Sequence, residues 1–307
     1  MQALITGING FVGGWLARRI LETGGQVLGL ARGDDRSAWD EELSAVRRAT
    51  WDVTQPVTEE LIAVARDFRP DVVFHLAGIS NPGSCGREEP TPLAWAANVT
   101  GVERVLGLVR ALDPLPRVVF ASSSYVYAPV ETDAAAVDEE SPPGPVSAYG
   151  KTKLAAEEVL RASGCEFVIA RIFNHTGPGQ LPPFLFPELI QQAADPAIDS
   201  LRLRSLDFTL QTGDVRDLAR ALIALAERGR RNEAYNIAGA TPRTGREWIE
   251  LLRLGTGTKK PLVVEGGASR ANPTATCAKL ARDTEFQPEF PPERTFRDML
   301  SFALKRL

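Results

Sequence analysis

The sequence contains few cysteines and shows no excess of positive charge. Its three cysteines, Cys85, Cys165 and Cys277, lie far apart and are odd in number, so we expect neither a disulfide framework nor a zinc or other metal site. A formal net charge of -4 over 307 residues lacks the basic surface that nucleic-acid binding requires. We interpret the cysteines as buried or incidental thiols in a reducing cytoplasm.

Long hydrophobic runs and a targeting segment are also missing. The longest apolar runs, such as Val118–Phe120 and Phe184–Phe186, fall far short of the roughly 20 residues that cross a bilayer. Ala3–Thr6 already reads as a buried strand, which leaves no basic and apolar leader before it. We therefore expect a cytoplasmic protein without a membrane partner, and the 44% hydrophobic and 24% charged residues are typical of a globular chain.

Short apolar strands alternate with longer helical patterns in the first half of the chain. The predicted strands are Ala3–Thr6, Gln26–Ala31, Asp71–Leu76, Arg117–Ser122 and Glu166–Arg171. The predicted helices are Phe11–Thr23, Thr58–Phe68, Ala94–Leu112 and Tyr149–Ser163. This alternation predicts an α/β fold, in which a parallel sheet is covered by helices on both faces.

The pattern becomes irregular after about residue 173, where prolines and glycines cluster. An amphipathic helix is predicted within Thr209–Ala226, a short strand at Tyr235–Ile237 and another helix near Arg246–Leu254. We expect a dinucleotide-binding domain formed by residues 1–173 and about 209–238. The remaining segments, about 174–208 and 239–307, are predicted to form a smaller, discontinuous C-terminal substrate lobe.

A glycine motif, G-x-x-G-x-x-G, follows the first predicted strand and opens the first predicted helix. Glycines let the backbone turn tightly and approach a pyrophosphate, while the helix N-terminus offers N–H groups to the phosphates. A simple tight turn is the alternative, but the position between strand and helix favours a cofactor site. The predicted cofactor contacts in this motif are Gly7, Asn9, Gly10, Phe11, Val12 and Gly13. Further contacts are expected from Asp52 and Val53 at the adenine, and from Leu76, Ala77 and Gly78 along the phosphates and ribose.

The end of the second predicted strand bears on the choice between NAD and NADP. NAD sites usually carry an acidic residue there for the ribose hydroxyls, whereas this chain has Ala31 and Arg32. A guanidinium pairs well with a 2′-phosphate, so Arg32 favours NADP. NAD remains possible, because Asp34 and Asp35 lie nearby and a loop arginine is often simply solvated.

Tyr149 and Lys153 are four residues apart and so lie on one face of a predicted helix. Tyrosine, with an ordinary pKa of about 10, is a poor acid at neutral pH, but a nearby ammonium stabilises its phenolate. Lysine can also hold the nicotinamide ribose. Three serines, at residues 122–124, end the preceding strand, where a hydroxyl can hydrogen-bond a substrate carbonyl.

The glycine motif, the serine strand that ends in Val126-Tyr127 and the Tyr-x-x-x-Lys spacing resemble the extended short-chain dehydrogenase/reductases nearly end to end. The resemblance implies a Rossmann-like, doubly wound sheet and a catalytic set of Ser123, Tyr149 and Lys153, with Ser123 selected by its register against Val126. It also implies that Asn98 supports the helix beside the active site. A homodimer through the helices near 94–112 and 149–163 is implied as well.

Three reactions use this framework, namely 4,6-dehydration, 4-epimerisation and keto reduction. The dehydratases place an Asp-Glu pair after the catalytic hydroxyl, where this chain has Ser124 and Tyr125, so dehydration is disfavoured. The segment Arg171–Gln180 is similar to the GDP-4-keto-6-deoxy-D-mannose reductases, in which the equivalent of Asn174 helps to hold the diphosphate. This resemblance implies NADPH-dependent reduction of a 4-keto-6-deoxy nucleotide sugar, with a GDP-linked sugar favoured. The alternatives are a 4-epimerase with tightly bound NAD and a non-catalytic NAD(P)-sensing protein.

The chain departs from the reductases and epimerases at one phosphate-binding arginine. Alignment on Asp214 puts Leu210 at that position, and Arg202, Arg204 or Arg216 are the candidates to replace it. Arg270 is the candidate for a second such arginine in the C-terminal lobe. The substrate contacts that we expect are Ser80, Ser124, Asn174, Arg204, Arg216 and Arg270.

Overall fold

The computed structural model describes residues 1–33, 43–44, 46–129, 136–267, 270–271 and 273–305. Its strands are β1 (Gln2–Thr6), β2 (Gln26–Ala31), β3 (Arg47–Thr50), β4 (Val72–His75), β5 (Arg117–Ser123), β6 (Phe167–Ile172), β7 (His175–Thr176), β8 (Leu201–Leu203), β9 (Phe208–Leu210), β10 (Gly213–Asp214), β11 (Glu233–Ile237), β12 (Arg243–Thr244), β13 (Leu262–Val264) and β14 (Arg270–Ala271). Its α-helices are α1 (Phe11–Glu22), α2 (Glu59–Phe68), α3 (Pro92–Trp95), α4 (Gly101–Arg110), α5 (Ala148–Arg161), α6 (Leu185–Ala194), α7 (Val215–Arg228), α8 (Gly245–Thr256), α9 (Ala278–Thr284) and α10 (Pro292–Leu304).

Seven parallel strands form the central sheet, in the order β11-β6-β5-β4-β1-β2-β3. The strand order reverses at β1, which pairs with β2 on one side and with β4 on the other. Open α/β sheets bind their ligands in the crevice at the carboxyl ends of the strands, where such a reversal occurs. The predicted Rossmann-like parallel sheet is therefore confirmed, and it places the crevice beside the glycine motif.

Alternate side chains of the strands fill two hydrophobic cores on opposite faces of the sheet. Ala3 and Ile5 of β1 join a core with α1 and α7, whereas Leu4 joins a core with α2, α4 and α5. Because both faces are buried, the strands consist of nearly continuous apolar runs. This continuity is what made them recognisable in the sequence.

A third core lies among α6, α8, α10 and β8, away from the central sheet. The rings of Phe186, Trp248 and Phe296 meet at its centre, with centroids 5.1 to 6.1 Å apart. These helices come from the segments that we assign to a substrate lobe, while α7 and β11 pack with the central sheet. The division into two lobes stays a prediction.

Two elements differ from the prediction. The helix expected over Ala94–Leu112 is divided by a π-helical turn, Ala96–Thr100, between α3 and α4. A π-turn inserts one extra residue into a helix, whereas the apolar pattern of this segment predicts one uninterrupted helix. The edge strand β3 was not predicted, because Arg47–Thr50 is largely exposed and lacks an apolar run.

No helix in the described part of the chain is both long and apolar enough to cross a membrane. Within the same residues there is no group of three or more His, Cys, Asp or Glu side chains suited to holding a metal ion.

Candidate active site

Tyr149 and Lys153 lie in the first turns of α5, and both are buried. The helix begins here because the side chain of Ser147 caps it and accepts a hydrogen bond from the N–H of Gly150 at 3.1 Å. The ammonium of Lys153 lies 5.9 Å from the centroid of the Tyr149 ring. The structure therefore brings the two side chains onto one face of the helix, at the end of β5.

The ammonium of Lys153 is anchored to the central sheet. Its Nζ donates a hydrogen bond to the carbonyl oxygen of Ala121 at 2.8 Å and lies 5.0 Å from the Phe120 ring centroid. Burial lowers the pKa of Lys153 to about 8. The lysine is thus fixed in position and still mostly charged at neutral pH.

Burial acts on Tyr149 in the opposite sense, because its charged form is the deprotonated one. It raises the pKa of Tyr149 to about 12, while a hydrogen bond with Ser123 works to lower that pKa. Burial therefore opposes the lowering of the Tyr149 pKa that the spacing of Tyr149 and Lys153 predicts. At neutral pH the site therefore holds a protonated phenol beside a lysine ammonium, and the phenol carries a proton that a developing alkoxide, which is far more basic than water, can take up.

The three consecutive serines have different surroundings. Ser122 donates a hydrogen bond to Glu157 Oε1 at 2.5 Å and is occupied in a buried network. Ser124 begins the buried 3₁₀ turn Ser124–Val126. Ser123 lies at the end of β5, interacts with Tyr149 and accepts a hydrogen bond from the N–H of Tyr125 at 3.3 Å. Of the three, Ser123 is the serine whose hydroxyl the structure places with Tyr149.

A buried ion pair beneath α5 was missed by the reasoning from sequence. Arg171 on β6 donates two hydrogen bonds to Glu157 on α5, Nε to Oε1 at 3.1 Å and Nη2 to Oε2 at 2.9 Å. The hydroxyl of Tyr127 accepts a third hydrogen bond from Arg171 at 2.9 Å and donates to Asn236 Oδ1 at 2.7 Å. This network joins α5 to β6 and β11. The available signal was an arginine inside an otherwise apolar strand.

Asn98 connects the loop after β4 to α5. Its Oδ1 accepts from the N–H of Ile79 at 2.7 Å, and its Nδ2 donates to the Ile79 carbonyl at 3.2 Å and to Thr152 Oγ1 at 3.0 Å. Thr152 in turn donates to the carbonyl oxygen of Tyr149 at 2.7 Å. The π-helical turn places this buried amide within reach of both elements.

The glycine motif forms the expected close turn between β1 and α1. Gly7 has a φ of +74°, and a Cβ atom there would lie 2.9 Å from the backbone nitrogen of Ala77. Gly10 precedes α1 and has no side chain with which to cap it, so the first N–H groups of the helix remain available to an anion. Phe11 stacks on His175, with centroids 5.8 Å apart. This cradle fits the pyrophosphate of a dinucleotide.

The other expected cofactor residues follow the carboxyl ends of β2, β3 and β4. Arg32 is exposed directly after β2, whereas Asp34 and Asp35 lie outside the described residues. Asp52 Oδ1 accepts from the N–H of Thr54 at 2.8 Å, and Val53 is buried. Residues 76–78 follow β4, and the N–H of Ala77 donates to Thr6 Oγ1 at 3.2 Å.

Two further ionisable side chains act on Lys153 or feel its charge. His75, at the end of β4, is hydrogen-bonded through Nδ1 to Thr6 Oγ1 at 2.8 Å, and burial lowers its pKa to about 3. Cys85 is fully buried, and burial raises the pKa of its thiol. Neither was given a role from the sequence, and at neutral pH both are uncharged.

The expected substrate residues are less closely grouped. Ser80 and Arg204 are exposed, Ser124 is buried beside Ser123, and Arg270 lies opposite Phe208 in the register of β14 and β9. The guanidinium of Arg216 is held by Asp214 at 2.7 Å and by Asp298 at 2.5 Å. A substrate phosphate would have to exchange these bonds in order to reach Arg216.

A cavity of about 280 Å³ is lined by the connection between β6 and β7, which contains Asn174. Asn174, Thr212 and Arg243 are among its lining residues, and neither Tyr149 nor Lys153 is. Arg243 lies directly opposite Leu210 in the antiparallel pairing of β12 and β9. A guanidinium is therefore present next to the position at which the sequence lacks an arginine.

A family model and similar proteins of known name point to the same family for this chain. A model of the NAD dependent epimerase/dehydratase family matches residues 3–238. The GDP-6-deoxy-D-mannose reductase of Pseudomonas aeruginosa is 28% identical over 244 residues, which cover 76% of this chain and 80% of that protein. The dTDP-6-deoxy-L-talose 4-dehydrogenase (NAD(P)(+)) of Kitasatospora kifunensis is 29% identical over 261 residues, 82% of this chain and 78% of that protein.

Solved structures have the same fold over the whole chain. RMD from Pseudomonas aeruginosa, complexed with NADPH, superimposes with a TM-score of 0.77 at 25% identity and covers 100% of both chains. UDP-glucuronic acid 4-epimerase from Bacillus cereus, in complex with UDP-glucuronic acid and NAD, gives a TM-score of 0.84 at 22% identity over 100% of both chains. The second likeness shows the fold alone.

Proposed function

The chain belongs to the NAD-dependent epimerase/dehydratase family, the extended short-chain dehydrogenase/reductases, and from this premise we propose that it is an NADPH-dependent reductase of a 4-keto-6-deoxy nucleotide sugar. Members of this family are NAD(P)-dependent oxidoreductase-type enzymes that modify nucleotide sugars. GDP-4-keto-6-deoxy-D-mannose is the favoured substrate, because a GDP-6-deoxy-D-mannose reductase is among the similar curated proteins.

The observation that supports reduction over dehydration is the set of groups around Tyr149. Among the described residues, the side chains that act on its pKa are Ser123, Cys85 and Tyr125. None of them is a carboxylate, whereas an elimination across the sugar ring needs an acid and a base beyond the tyrosine. A single proton donor beside a hydroxyl is sufficient for reducing a ketone, and this supports the proposal.

The proposed mechanism assigns one task to each side chain. When bound, the reduced nicotinamide supplies a hydride to C4 of the sugar. Tyr149 donates its proton to the alkoxide that develops at the C4 oxygen, and Ser123 hydrogen-bonds the same oxygen in the transition state. Lys153 adds a fixed positive charge beneath the site and can contact the ribose of the cofactor. All three side chains are buried.

The direct test is a panel of GDP-, UDP- and dTDP-linked 4-keto-6-deoxy sugars, each supplied with NADPH and with NADH. We expect oxidation of NADPH with the GDP-linked ketone and formation of the 6-deoxy sugar. No oxidation with any member of the panel would contradict the reductase proposal. Oxidation of NADPH with a UDP- or dTDP-linked ketone instead would support the reductase reaction and contradict the proposed GDP-linked substrate.

A nucleotide-sugar 4-epimerase would use the same tyrosine, lysine and serine. It differs in that the cofactor must stay bound through both half-reactions, so a purified epimerase carries NAD. Denaturing the purified protein and assaying the supernatant for dinucleotide separates the two functions. We expect no stoichiometric release of NAD, and finding it would favour the epimerase.

We also propose that the cofactor is NADP, because Arg32 takes the place of an acidic residue after β2. A homodimer through α4 and α5 is proposed on the exposure of Leu93, Trp95 and Val146 close to these helices. Their exposed fractions are 60%, 45% and 64%, and burying large apolar side chains against a second copy would stabilise a dimer. Light scattering of the purified protein tests the dimer.

A further inference from the structure

The edge strand β3 contributes an arginine to the cofactor crevice. Arg48 is opposite Gly29 in the parallel pairing of β3 with β2. Its guanidinium Nη1 donates a hydrogen bond to Oδ1 of Asn9, the residue before the second glycine of the motif, at 3.0 Å. A side chain from the outermost strand therefore reaches across β2 and meets the glycine turn.

Gly29 allows the glycine turn to pack directly on β2. A Cβ atom at position 29 would lie 2.8 Å from Cγ2 of Ile8 and closer still to its Cδ1, so Ile8 rests directly on β2 at this point. Residues that are paired in a parallel sheet point to the same face. Arg48 is therefore on the face that Ile8 covers, immediately beside the glycine turn.

Arg32 is a second arginine near the same end of β2. It follows Ala31, the last residue of β2, which is paired with Thr50 two residues beyond Arg48. Both arginines are exposed at the surface. The carboxyl end of the second strand is where the adenosine ribose of a bound dinucleotide lies in this fold, and Arg32, Arg48 and Asn9 are positioned around that point.

We propose that Arg48 is a specificity-determining residue for NADP, which binds the 2′-phosphate together with Arg32. Guanidinium groups form short, charge-assisted hydrogen bonds to phosphate, and the bond to Asn9 orients Arg48 toward it. The inference rests on the proposed use of NADP. It adds a residue from β3, a strand that the sequence pattern did not predict.

The neighbouring Arg47 provides a matched control. It has the same chemistry and is also exposed, but successive residues of a strand point to opposite faces. Its guanidinium pairs with Asp67 at 2.7 Å on the surface. Replacing Arg47 removes the same charge from the same strand and leaves the crevice intact.

The experiment measures dissociation constants of NADPH, NADH, 2′,5′-ADP and 5′-AMP by calorimetry for the wild type, Arg48→Ala, Arg48→Lys and Arg47→Ala. We expect Arg48→Ala to weaken NADPH and 2′,5′-ADP about tenfold or more, the effect of losing a hydrogen bond to a charged group, and to leave NADH and 5′-AMP unchanged. The affinity of Arg48→Lys for NADPH should lie between those of the wild type and Arg48→Ala. Arg47→Ala should bind all four ligands like the wild type. Thermal unfolding of each variant confirms that it is folded.

An unchanged ratio of NADPH to NADH affinity in Arg48→Ala would overturn the inference, and so would an equal loss in Arg47→Ala. A wild type that binds NADH as tightly as NADPH would overturn both the use of NADP and the role of Arg48. These readouts need no turnover. If the sugar panel gives no reduction while Arg48→Ala still loses NADPH selectively, the reductase proposal fails and the role of Arg48 stands.

Discussion

The carbonyl oxygen of Tyr125 occupies the space that a side chain at Gly150 would need. A Cβ atom on Gly150 would overlap that oxygen and would also lie 2.8 Å from Cβ of Pro145. The start of α5 is thereby pressed against the 3₁₀ turn that follows β5. Tyr149 precedes Gly150 and Ser123 precedes the turn, so this contact holds together the two backbone segments that carry the hydroxyls.

Replacing Gly150 with alanine should therefore reduce both turnover and stability. The added methyl forces α5 away from Tyr125, and overpacking of this kind costs about 1–3 kcal/mol. Gly107 in α4 is the control, because a Cβ there meets nothing within 4 Å, and Gly107→Ala should stabilise by about 0.5–1 kcal/mol. Thermal unfolding and the rate of NADPH oxidation measure both effects. Equal behaviour of the two variants would contradict the packing argument.

Tyr149→Phe should lower turnover by about a hundredfold to ten-thousandfold, the usual contribution of a positioned proton donor. Binding of NADPH should be retained, because the phenyl ring keeps the packing of the site. Tyr125→Phe is the matched control, since the Tyr125 ring meets Tyr149 edge-on at 5.5 Å but is not assigned a proton. Full activity in Tyr149→Phe would remove the tyrosine from the mechanism, and a wild type without turnover would favour a binding protein.

The parts of the fold that were predictable are those with local signals. Strands buried on both faces form apolar runs, the glycine motif lies between a strand and a helix, and Tyr149 and Lys153 share a helix face through their spacing alone. The ion pair of Glu157 and Arg171 has no such signal, because partners on different elements are joined only by the tertiary fold. For the same reason Arg48 could not be assigned to the crevice before β3 was placed beside β2.

Removing Arg171 should be strongly destabilising, because the buried carboxylate of Glu157 loses its buried cation and two hydrogen bonds. We expect Arg171→Met to lower the free energy of unfolding by about 3–5 kcal/mol, with part of the loss recovered in the double variant Arg171→Met/Glu157→Leu. Arg161 lies 3.7 Å from the same carboxylate, but 46% of its side chain is exposed, so Arg161→Ala should cost about 0–1 kcal/mol. Denaturant titration measures all three. A small effect of Arg171→Met would show that the network is not needed for stability.

His75 should make the protein less stable in acid. Its pKa is lowered from 6.5 to about 3 in the folded state, so between these values the unfolded chain binds a proton that the folded chain does not. The free energy of unfolding therefore rises with pH across this window and falls as acid is added. A difference of one in pKa corresponds to about 1.4 kcal/mol. The lowered pKa of His75 therefore changes the free energy of unfolding by roughly a few kcal/mol across this window. His75→Asn should flatten the pH dependence of unfolding between pH 3 and 6.5, and an unchanged slope would refute the assignment.

The amide of Asn98 determines which groups donate and which accept in the hydrogen-bond network around Tyr149. Hydrogen bonds run from Asn98 Nδ2 to the Thr152 hydroxyl and from that hydroxyl to the Tyr149 carbonyl, while Asn98 Oδ1 accepts from Ile79. Aspartate has the same outline but offers only acceptors when ionised, and it would oppose the Ile79 carbonyl oxygen and leave Thr152 without a donor. Position 98 therefore requires one acceptor and one donor at the end of its side chain. A residue that matches only the shape of asparagine would lose the hydrogen bond to Thr152.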